Sequence, residues 1–293
     1  MLICNRQLDE KQLKEIEALA AECQKTDGGA PAIYYHLLRQ RRDSESNVLD
    51  YDDSGNLVGF LSVYFFYDDA CEISLLVSPE HRRYGVASKM LRTIMPLLHT
   101  KKMASLIFSS GLEHDKLMSL SGKAARFVYK YSEYHMQRNG YEPVIMGYPA
   151  LFIREATDSD LTDLCVIDSA CFDSQNATMQ ERFEYLLADR NYTILLALRN
   201  NKPIGKAHIR WQTDGAIFSD IAIIPQEQGK GLGGELLSYC INQSLSMGKN
   251  KITLDVETNN SNALNLYLRH GFKTATRRNF WSISTSELEL SLA

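Results

Sequence analysis

An internal repeat constrains the fold of this 293-residue chain more than any other feature of the sequence. When the chain is aligned with itself at an offset of 146 residues, no gap is needed across residues 58–91. Val58-Gly59 falls on Ile204-Gly205, and Gly85-Val86-Ala87 falls on Gly231-Leu232-Gly233. An offset of this length corresponds to a whole domain and is too long for a solenoid repeat. The chain is therefore predicted to contain two copies of one domain.

Each copy shows the same coarse order of elements, which predicts an α+β fold with a mixed, mostly antiparallel sheet flanked by helices. A short strand opens each copy, one or two helices follow, and three strands in a meander lead into a glycine-containing turn and a further helix. In the second copy, the closing strands are expected at Phe272–Leu290. Because Arg138–Pro143 is a turn-forming stretch, the domains are expected at 1–138 and 151–293, with a linker at 139–150.

Composition and charge favour a globular protein and limit the classes of partner that it is expected to bind. The apolar fraction is 44%, the charged fraction 23% and the formal net charge −4, so nothing points to a nucleic-acid partner. The six cysteines form no CxxC pair and the seven histidines lack metal-ligand spacing, which predicts reduced thiols, a cytoplasmic location and no metal. Neither a signal peptide nor an apolar run of membrane-spanning length is visible, so no membrane association is expected.

The second copy contains a glycine-rich turn that links a buried strand to a helix. Four of the six residues from Gly229 to Gly234 are glycine, so the backbone can adopt positive φ angles and approach a ligand closely. The N–H groups of such a turn, with the following helix N-terminus, form an anion site, and a pyrophosphate is the natural guest. The turn fits neither the P-loop nor the dinucleotide pattern. A tight turn without any ligand is the alternative interpretation.

Two ordered motifs give the second copy a specific resemblance to a known family. Gln228, Gly231 and Gly233 match the Q/R-x-x-G-x-G/A pyrophosphate signature of the GNAT acyltransferase superfamily. The family's downstream pattern N-x-x-A-x-x-L-Y-x-x-x-G-F is met by Asn260, Ala263, Leu266, Tyr267, Gly271 and Phe272. The resemblance covers residues 151–290 well and residues 1–138 in part, so the chain resembles a tandem protein made of two such folds.

The resemblance implies that acetyl-CoA is the acyl donor and lies in a cleft between the fourth and fifth strands of the second copy. The amides of the glycine turn would hold the pyrophosphate, while the backbone around Ile221 to Ile223 would pair with the pantetheine arm and polarise the thioester carbonyl. Asn260 would contact the donor near its pantetheine end. The residues implied for donor binding in this copy are Ile221, Ala222, Ile223, Gln228, Gly229, Lys230, Gly231, Leu232, Gly233, Gly234 and Asn260.

Acyl transfer to an amine also requires proton transfers, and the resemblance offers candidates for them. Tyr267 matches the position of the family's frequent general acid, and a tyrosine pKa of about 10 is close enough to that of a thiol. Packing of the helix onto the sheet is the alternative role of Tyr267. Asp255 matches the position of the glutamate base in the family's ribosomal-protein N-terminal acetyltransferases, although aspartate is one methylene shorter. Glu257 shares its strand face, and Asp220 is a third candidate. One variation within the family uses no base.

The first copy keeps the first motif and lacks the second. Arg82, Gly85 and Ala87 fit the Q/R-x-x-G-x-G/A form, and Arg82 and Arg83 are well placed for phosphates. The region from Gly111 to Tyr134 contains no counterpart of the downstream pattern. This domain is therefore expected to be partly degenerate. It binds an acyl-CoA, has lost that ligand, or only walls the substrate cleft, and these alternatives stay open.

The leading hypothesis is an N-acetyltransferase that moves an acetyl group from acetyl-CoA directly to a primary amine of a small molecule or peptide, mainly in the C-terminal domain. An acyl-CoA-binding sensor without chemistry and a protein N-terminal acetyltransferase are the alternatives. Tyr267 with a nearby carboxylate favours an enzyme over a sensor. The acceptor and the acyl length stay open, and either a monomer or a homodimer is expected.

Overall fold

The computed structural model describes residues 1–111, 126–145, 147–172 and 179–292. The chain forms two compact units, which are described separately below. Unit 1 comprises Met1–Glu133 and Arg277–Ala293, and unit 2 comprises Tyr134–Thr276. Both units contain strands and helices, so the predicted α+β class is confirmed.

Unit 1 is built on an antiparallel meander that ends in one parallel pair. Its first strands are β1 (Leu2–Asn5), β2 (Asn47–Tyr51), β3 (Leu57–Tyr64), β4 (Ala70–Val77) and β5 (Ser105–Gly111). They pair in that order, and only the β4–β5 pair is parallel. The helices are α1 (Glu10–Asp27), α2 (Tyr35–Leu38) and α3 (Val86–Thr100). Helix α1 begins at a capping box between Asp9 and Gln12 and ends at Gly28, whose φ of 69° is left-handed.

Unit 2 repeats this arrangement after the chain passes along β6 (Val128–Asn139). Its strands are β7 (Phe152–Glu155), β8 (Tyr192–Arg199), β9 (Lys202–Trp211), β10 (Gly215–Ile223) and β11 (Lys251–Glu257). The run from β7 to β10 is antiparallel, and β10 pairs with β11 in parallel. The helices are α4 (Leu161–Cys171), α5 (Met179–Ala188), α6 (Leu232–Ser246) and α7 (Ser261–Arg269).

The glycine turns of the two units have the same local geometry, as the repeat predicts. Gly85 has a φ of 82° and begins α3, and Gly231 has a φ of 81° and begins α6. Both angles lie in the left-handed region, where a Cβ would be strained. The duplication inferred from sequence is therefore visible at the level of single backbone angles.

The sheet of unit 2 is covered by apolar side chains from both faces. One cluster contains the apolar stripe of α6, with Leu232, Leu236, Leu237, Cys240 and Ile241 all buried as the helical spacing predicts. A second cluster, formed by α4, α5 and β8, includes Leu164, Ile167, Phe183, Ile194 and Leu196. Burial of one such side chain contributes about 1.5–3 kcal/mol. Polar side chains that enter the second cluster therefore need a specific reason to be there.

The end of the chain differs from the closing strands expected at Phe272–Leu290. A single strand, β12 (Lys273–Ser284), is followed by a helix, α8 (Thr285–Leu292). The reason is an N-cap hydrogen bond at Ser284 that the strand interpretation overlooked. The Glu287 N–H donates to Ser284 Oγ at 3.2 Å, and that hydroxyl donates to the Glu287 carboxylate at 2.9 Å. Ile283, Leu288 and Leu292 then pack into the core of unit 1.

The two units are not consecutive along the chain, unlike the expected domains 1–138 and 151–293. The boundary between them falls within β6 and again within β12. The physical reason is strand pairing, because Arg278–Ser284 of β12 runs antiparallel to Ser105–Gly111 of β5. Residues 277–293 therefore belong to unit 1. A division by sequence alone places a boundary at turn residues and has no access to this long-range pairing.

Candidate active site

The glycine-rich turn of unit 2 presents a helix N-terminus that no side chain caps. Gly229 and Gly231 have φ angles of 75° and 81°, and Gly231 is the N-cap of α6 without a side-chain hydrogen bond. The first amides of a helix have no partner within the helix and carry a partial positive charge. These groups are suited to an anionic ligand such as a pyrophosphate.

The side chains beside this turn are engaged with the protein itself. Gln228 Nε2 donates to the Ile223 carbonyl at 2.8 Å and so ties the turn to the end of β10. Lys230 Nζ lies 3.1 Å from Glu227 Oε2. Asn260 is the N-cap of α7, where its side-chain oxygen accepts the Ala263 N–H at 3.1 Å. Gln228 and Asn260 therefore have clear roles in shaping the turn and starting the helix.

A β-bulge interrupts β10 directly before Ile221–Ile223. Ser219 pairs with His208 and Ala222 pairs with Lys206, so Asp220 and Ile221 stand opposite the single residue Ala207. A bulge leaves the extra residue outside the ladder of backbone hydrogen bonds. Asp220 has a φ of 49°, an uncommon conformation for a residue with a Cβ. Backbone groups and the Asp220 side chain are thereby directed away from regular strand positions.

A chain of charged side chains runs from the interior of unit 2 to this bulge. Lys206 Nζ lies 2.7 Å from Asp168 Oδ1 and 3.3 Å from His208 Nε2. His208 Nδ1 lies 3.1 Å from Asp220 Oδ2, and Arg182 Nη2 lies 3.5 Å from the same oxygen. The side chains of Asp168, Lys206 and His208 are at most 1% exposed, whereas Asp220 is 23% and Arg182 47% exposed. The chain therefore opens to solvent at its Asp220 end.

Burial and neighbouring charges decide the protonation states of His208 and Asp220. Burial and then the Lys206 charge lower the pKa of His208 from 6.5, so the imidazole is neutral at pH 7. The Lys206 ammonium can only donate, so Nε2 accepts from it and Nδ1 carries the proton of the neutral ring. Burial raises the pKa of Asp220, but His208, Lys206 and Arg182 outweigh it and hold that pKa well below its usual range. Asp220 is thus a carboxylate at all ordinary pH values.

Tyr267 is both a packing residue and a neighbour of the bulge. It is 8% exposed, and its ring packs edge-on against Phe272 at a centroid distance of 5.9 Å. Burial, Cys240 and Asp220 together raise the pKa of Tyr267 to about 12, so the phenol keeps its proton at pH 7. The charge of Asp220 therefore acts on the Tyr267 hydroxyl.

Asp255 lies on the polar face of β11. Ile252, Leu254 and Val256 are buried, while Asp255 and Glu257 are exposed, in agreement with the alternation of a strand. The Asp255 side chain is 44% exposed, and its Oδ1 lies 2.8 Å from His135 Nδ1. Unlike Asp220, Asp255 does not contribute to the shifted pKa of Tyr267.

Unit 1 contains a cavity of about 320 Å³ at the corresponding turn. The cavity is lined by the turn at Gly85–Ser88, by Leu75–Val77 of β4 and by Phe108–Ser110 of β5. Arg83, also in the lining, has a left-handed φ of 66°. Size, position and an uncapped helix N-terminus at Gly85 make this cavity a second candidate for donor binding.

Arg82 of unit 1, which the sequence places near the phosphates of a donor, is engaged with the protein itself. Its Nη1 and Nη2 each lie 2.6 Å from a carboxylate oxygen of Asp27, in the last turn of α1. Its Nε donates to the Val77 carbonyl at 3.1 Å. All three nitrogens are thus engaged, and Arg82 fixes the end of α1 beside the turn.

In unit 1, the backbone at Ala32 occupies the space between β4 and β5 beyond the last residue pair of these two strands. The β3–β4 ladder is regular from Gly59–Val77 to Tyr64–Glu72, without a bulge. The parallel β4–β5 pairing ends at Ile73–Phe108. One residue further along each strand, the Ala32 N–H donates to Ser109 Oγ at 2.9 Å and the Ala32 carbonyl accepts from Ser74 Oγ. The backbone at Ala32 therefore bridges β4 and β5.

The buried chain of Asp168, Lys206 and His208 is the main feature that sequence reasoning missed. A signal was present, because Lys206, His208 and Arg210 alternate along the predicted strand Pro203–Gln212. Such a pattern is typical of a solvated strand face. The decisive fact, that α4 and α5 cover this face and bury the lysine, depends on tertiary packing.

The comparison with known families agrees with this geometry. The model of the acetyltransferase (GNAT) family matches residues 11–111 and 161–272, which lie in separate halves of the chain. The chain belongs to the GNAT family. The two matched segments also follow the internal repeat, so this is a tandem GNAT protein.

Individual relatives match this chain over nearly its whole length. Mycothiol acetyltransferase from Mycobacteroides abscessus is 24% identical over 288 residues, which cover 92% of this chain and 95% of that protein. A solved GCN5-related N-acetyltransferase from Sphaerobacter thermophilus has a TM-score of 0.77 at 15% identity, with 97% and 96% coverage. A tandem GNAT protein from the clavulanic acid biosynthesis pathway has a TM-score of 0.70 at 15% identity, with 97% and 98% coverage. The two structures show the fold alone.

Two features are absent from the part of this GNAT protein that the structure describes. Within residues 1–111, 126–145, 147–172 and 179–292, no group of three or more His, Cys, Asp or Glu side chains is arranged to hold a metal ion. In the same part of the chain, no helix is long and apolar enough to cross a membrane.

Proposed function

We propose that this GNAT protein is an acetyl-CoA-dependent N-acetyltransferase and that unit 2 carries out the transfer. The observation that carries the proposal is the β-bulge at Asp220, in the strand that leads to the uncapped glycine turn, together with the effect of the Asp220 charge on the pKa of Tyr267. The corresponding strand of unit 1 is regular, and the gap beside it is bridged by Ala32. Among the residues that the structure describes, only those of unit 2 therefore combine an anion-binding turn with freed backbone groups and ionisable side chains.

In this proposal, backbone groups of unit 2 bind the donor, acetyl-CoA. The amides from Gly229 to Gly234 bind the pyrophosphate of acetyl-CoA, with the N-terminus of α6 behind them. The backbone at Ile221–Ile223 pairs with the pantetheine arm, and an N–H freed by the bulge donates to the thioester oxygen as negative charge develops there. Gln228 supports this arrangement by fixing the turn to Ile223.

Asp220 is assigned to the acceptor amine in preference to Asp255. Its charge contributes to the raised pKa of Tyr267, so the carboxylate and the phenol proposed for the two proton transfers influence each other electrostatically. A carboxylate with a strongly lowered pKa is a weak base, so its main contribution is to orient the nitrogen. The amine attacks in its neutral form, and Asp220 or solvent receives the proton that leaves the nitrogen as the C–N bond forms.

Tyr267 is assigned to the leaving group. As the bond between the acetyl carbon and sulfur breaks, the phenol donates its proton to the CoA thiolate. A pKa of about 12 keeps this proton in place before reaction, and Tyr267 regains a proton from solvent afterwards. The products are the N-acetylated amine and CoA.

Unit 1 is proposed to bind a CoA derivative without transferring its acyl group. The cavity of about 320 Å³ and the uncapped turn support binding. The regular β3–β4 ladder and the Ala32 bridge argue against chemistry there. We also propose a cytoplasmic location, which is supported by six free cysteines.

Steady-state kinetics of Asp220→Asn and Asp255→Asn test the assignment. We expect Asp220→Asn to lower kcat/KM for the amine by roughly 100-fold, in the range found when a positioned acid–base group is lost. Asp255→Asn should keep most of the activity, and Glu257→Gln, also exposed on β11, serves as the matched control. Acetyl-CoA affinity, measured by calorimetry, should change in none of them. Equal activity of Asp220→Asn and wild type would contradict the assignment.

A further inference from the structure

Arg182 stands beside Asp220 at the solvent-exposed end of the charged chain in unit 2. Its Nη2 lies 3.5 Å from Asp220 Oδ2, a long contact for an ion pair. Among the described residues, Asp220 is its only ion-pair partner. A guanidinium has five N–H donors in a planar fork, and 47% of this side chain is exposed. Most of the fork is therefore available to a ligand at the proposed acceptor site.

The side chains that run from Asp168 to Arg182 in unit 2 carry no net charge before any acceptor binds. Asp168 and Asp220 each contribute a negative charge, Lys206 and Arg182 each contribute a positive charge, and His208 is neutral. An acceptor that brings only an ammonium adds an uncompensated positive charge to this partly buried site. An acceptor that brings an ammonium and a carboxylate together leaves the sum unchanged.

The surroundings of Tyr192 show that more than one guanidinium acts near the residue before Asp220. Tyr192 Oη lies 3.3 Å from the hydroxyl of Ser219, the residue before Asp220. The charge of Asp220 raises the pKa of Tyr192, and those of Arg182 and Arg210 lower it, after the larger effect of burial. The charges of Asp220, Arg182 and Arg210 thus all reach the Tyr192 hydroxyl.

We propose that the acceptor of unit 2 is an amine that carries a carboxylate close to its nitrogen, as a free α-amino acid does. The nitrogen lies against Asp220 and the carboxylate binds the guanidinium fork of Arg182, which exchanges one carboxylate partner for another. This inference rests on the proposed function. The reaction forms the C–N bond and breaks the acetyl C–S bond. The nitrogen proton passes to Asp220 or solvent, the Tyr267 proton passes to sulfur, and the products are an N-acetylamino acid and CoA.

The experiment compares matched pairs of acceptors on matched variants. Each of the common α-amino acids and its α-carboxamide is assayed with acetyl-CoA, using the wild type, Arg182→Met, Arg182→Lys and the control Arg190→Met. Arg190 is an exposed arginine shortly after α5, so its replacement removes the same charge nearby. For the best amino acid we expect kcat/KM to exceed that of its amide by about 10- to 100-fold, as for loss of a bidentate charged contact.

The decisive quantity is the ratio of kcat/KM for an amino acid to kcat/KM for its amide. It should fall towards one in Arg182→Met, recover in part in Arg182→Lys and stay unchanged in Arg190→Met. Comparison across variants cancels the difference in amine pKa between an acid and its amide. Circular dichroism checks that each variant is folded.

Three outcomes overturn the inference. The first is equal acetylation of acids and amides by the wild type, and the second is a ratio that Arg182→Met leaves intact. The third is acetylation of none of these compounds. Calorimetry with acetyl-CoA and assays with simple primary amines separate this failure from a failure of the proposed function. If such amines are acetylated, the proposed function survives and only the acceptor class is wrong.

Discussion

At the scale of single residues, the backbone of Asp220 is the least ordinary feature of the proposed active site. A residue with a Cβ in the left-handed region costs on the order of 1 kcal/mol, and such conformations cluster at functional sites. The β-bulge that requires this left-handed conformation also places the Asp220 carboxylate beside both His208 and Arg182. Local strain is thus associated with the exposed end of an otherwise buried charged chain.

Replacement of Tyr267 by phenylalanine isolates its hydroxyl from its packing. The ring contact with Phe272 is kept, so the free energy of unfolding should change by less than about 1 kcal/mol. We expect kcat to fall by about 100-fold, because the thiolate leaves without a positioned proton donor. Steady-state kinetics, with urea unfolding as the control, measure both effects. An unchanged kcat would leave Tyr267 with the packing role alone.

The pH dependence of kcat/KM follows from the ionisation of the same two residues. Asp220 has a lowered pKa and stays ionised, and Tyr267 has a pKa of about 12 and stays protonated. Neither group changes its charge between pH 6 and 10, so activity should rise with the neutral fraction of the acceptor amine. Acceptors with different amine pKa values should shift the profile by the same difference. A profile fixed at one pKa for every acceptor would show that a group of the enzyme controls the rate.

The buried pair of Lys206 and Asp168 is open to a double-variant test. Lys206→Met leaves Asp168 buried with a lost partner, which typically costs about 3–5 kcal/mol. Asp168→Asn introduced with Lys206→Met removes both charges and should recover part of that loss. Urea unfolding at pH 7 measures the free energies. A double variant as unstable as the sum of the single variants would show that the two charges do not act as a pair.

At the scale of elements, local patterns predicted most strands and helices of unit 2 and missed those set by distant partners. The apolar stripe of α6 and the alternation of β11 were visible in the sequence and agree with the structure. The bulge in β10 was not visible, because it depends on how β9 pairs with it. The ion pair between Asp168 and Lys206 joins residues on separate elements, so neither residue alone indicated it.

The C-terminal helix α8 provides a test of an element that local sequence should have revealed. Ser284 Oγ accepts the Glu287 N–H at the start of this helix, and Leu288 and Leu292 are buried in unit 1. Ser284→Ala should destabilise the protein by about 1 kcal/mol, the usual effect of losing an N-cap. Ser291→Ala, in the last turn of the same helix and without contact to Ser284, serves as the control. Thermal unfolding followed by circular dichroism gives the difference, and equal melting temperatures for both variants would contradict the capping role.

At the scale of the whole molecule, duplication has produced two units that share a turn and differ at the strand beside it. Both helix N-termini are uncapped, and both turn glycines have left-handed φ angles near 80°. The strand before the turn is bulged in unit 2 and regular in unit 1. Donor binding is therefore proposed to depend on the turn and acetyl transfer on the bulged strand. For this reason we assign donor binding to both units and acetyl transfer to unit 2 alone.

The stoichiometry of acetyl-CoA binding tests this unequal assignment. Wild-type protein should bind two molecules per chain in calorimetry, because each unit has an anion-binding turn. Gly231→Asp with Gly233→Asp places two carboxylates and a Cβ at left-handed φ in the turn of unit 2, so one site and all catalysis should be lost. Gly85→Asp with Ala87→Asp should remove the other site and spare catalysis. Activity lost only with the second pair of substitutions would mean that unit 1 carries out the transfer, and a single wild-type site would mean that one turn binds no donor.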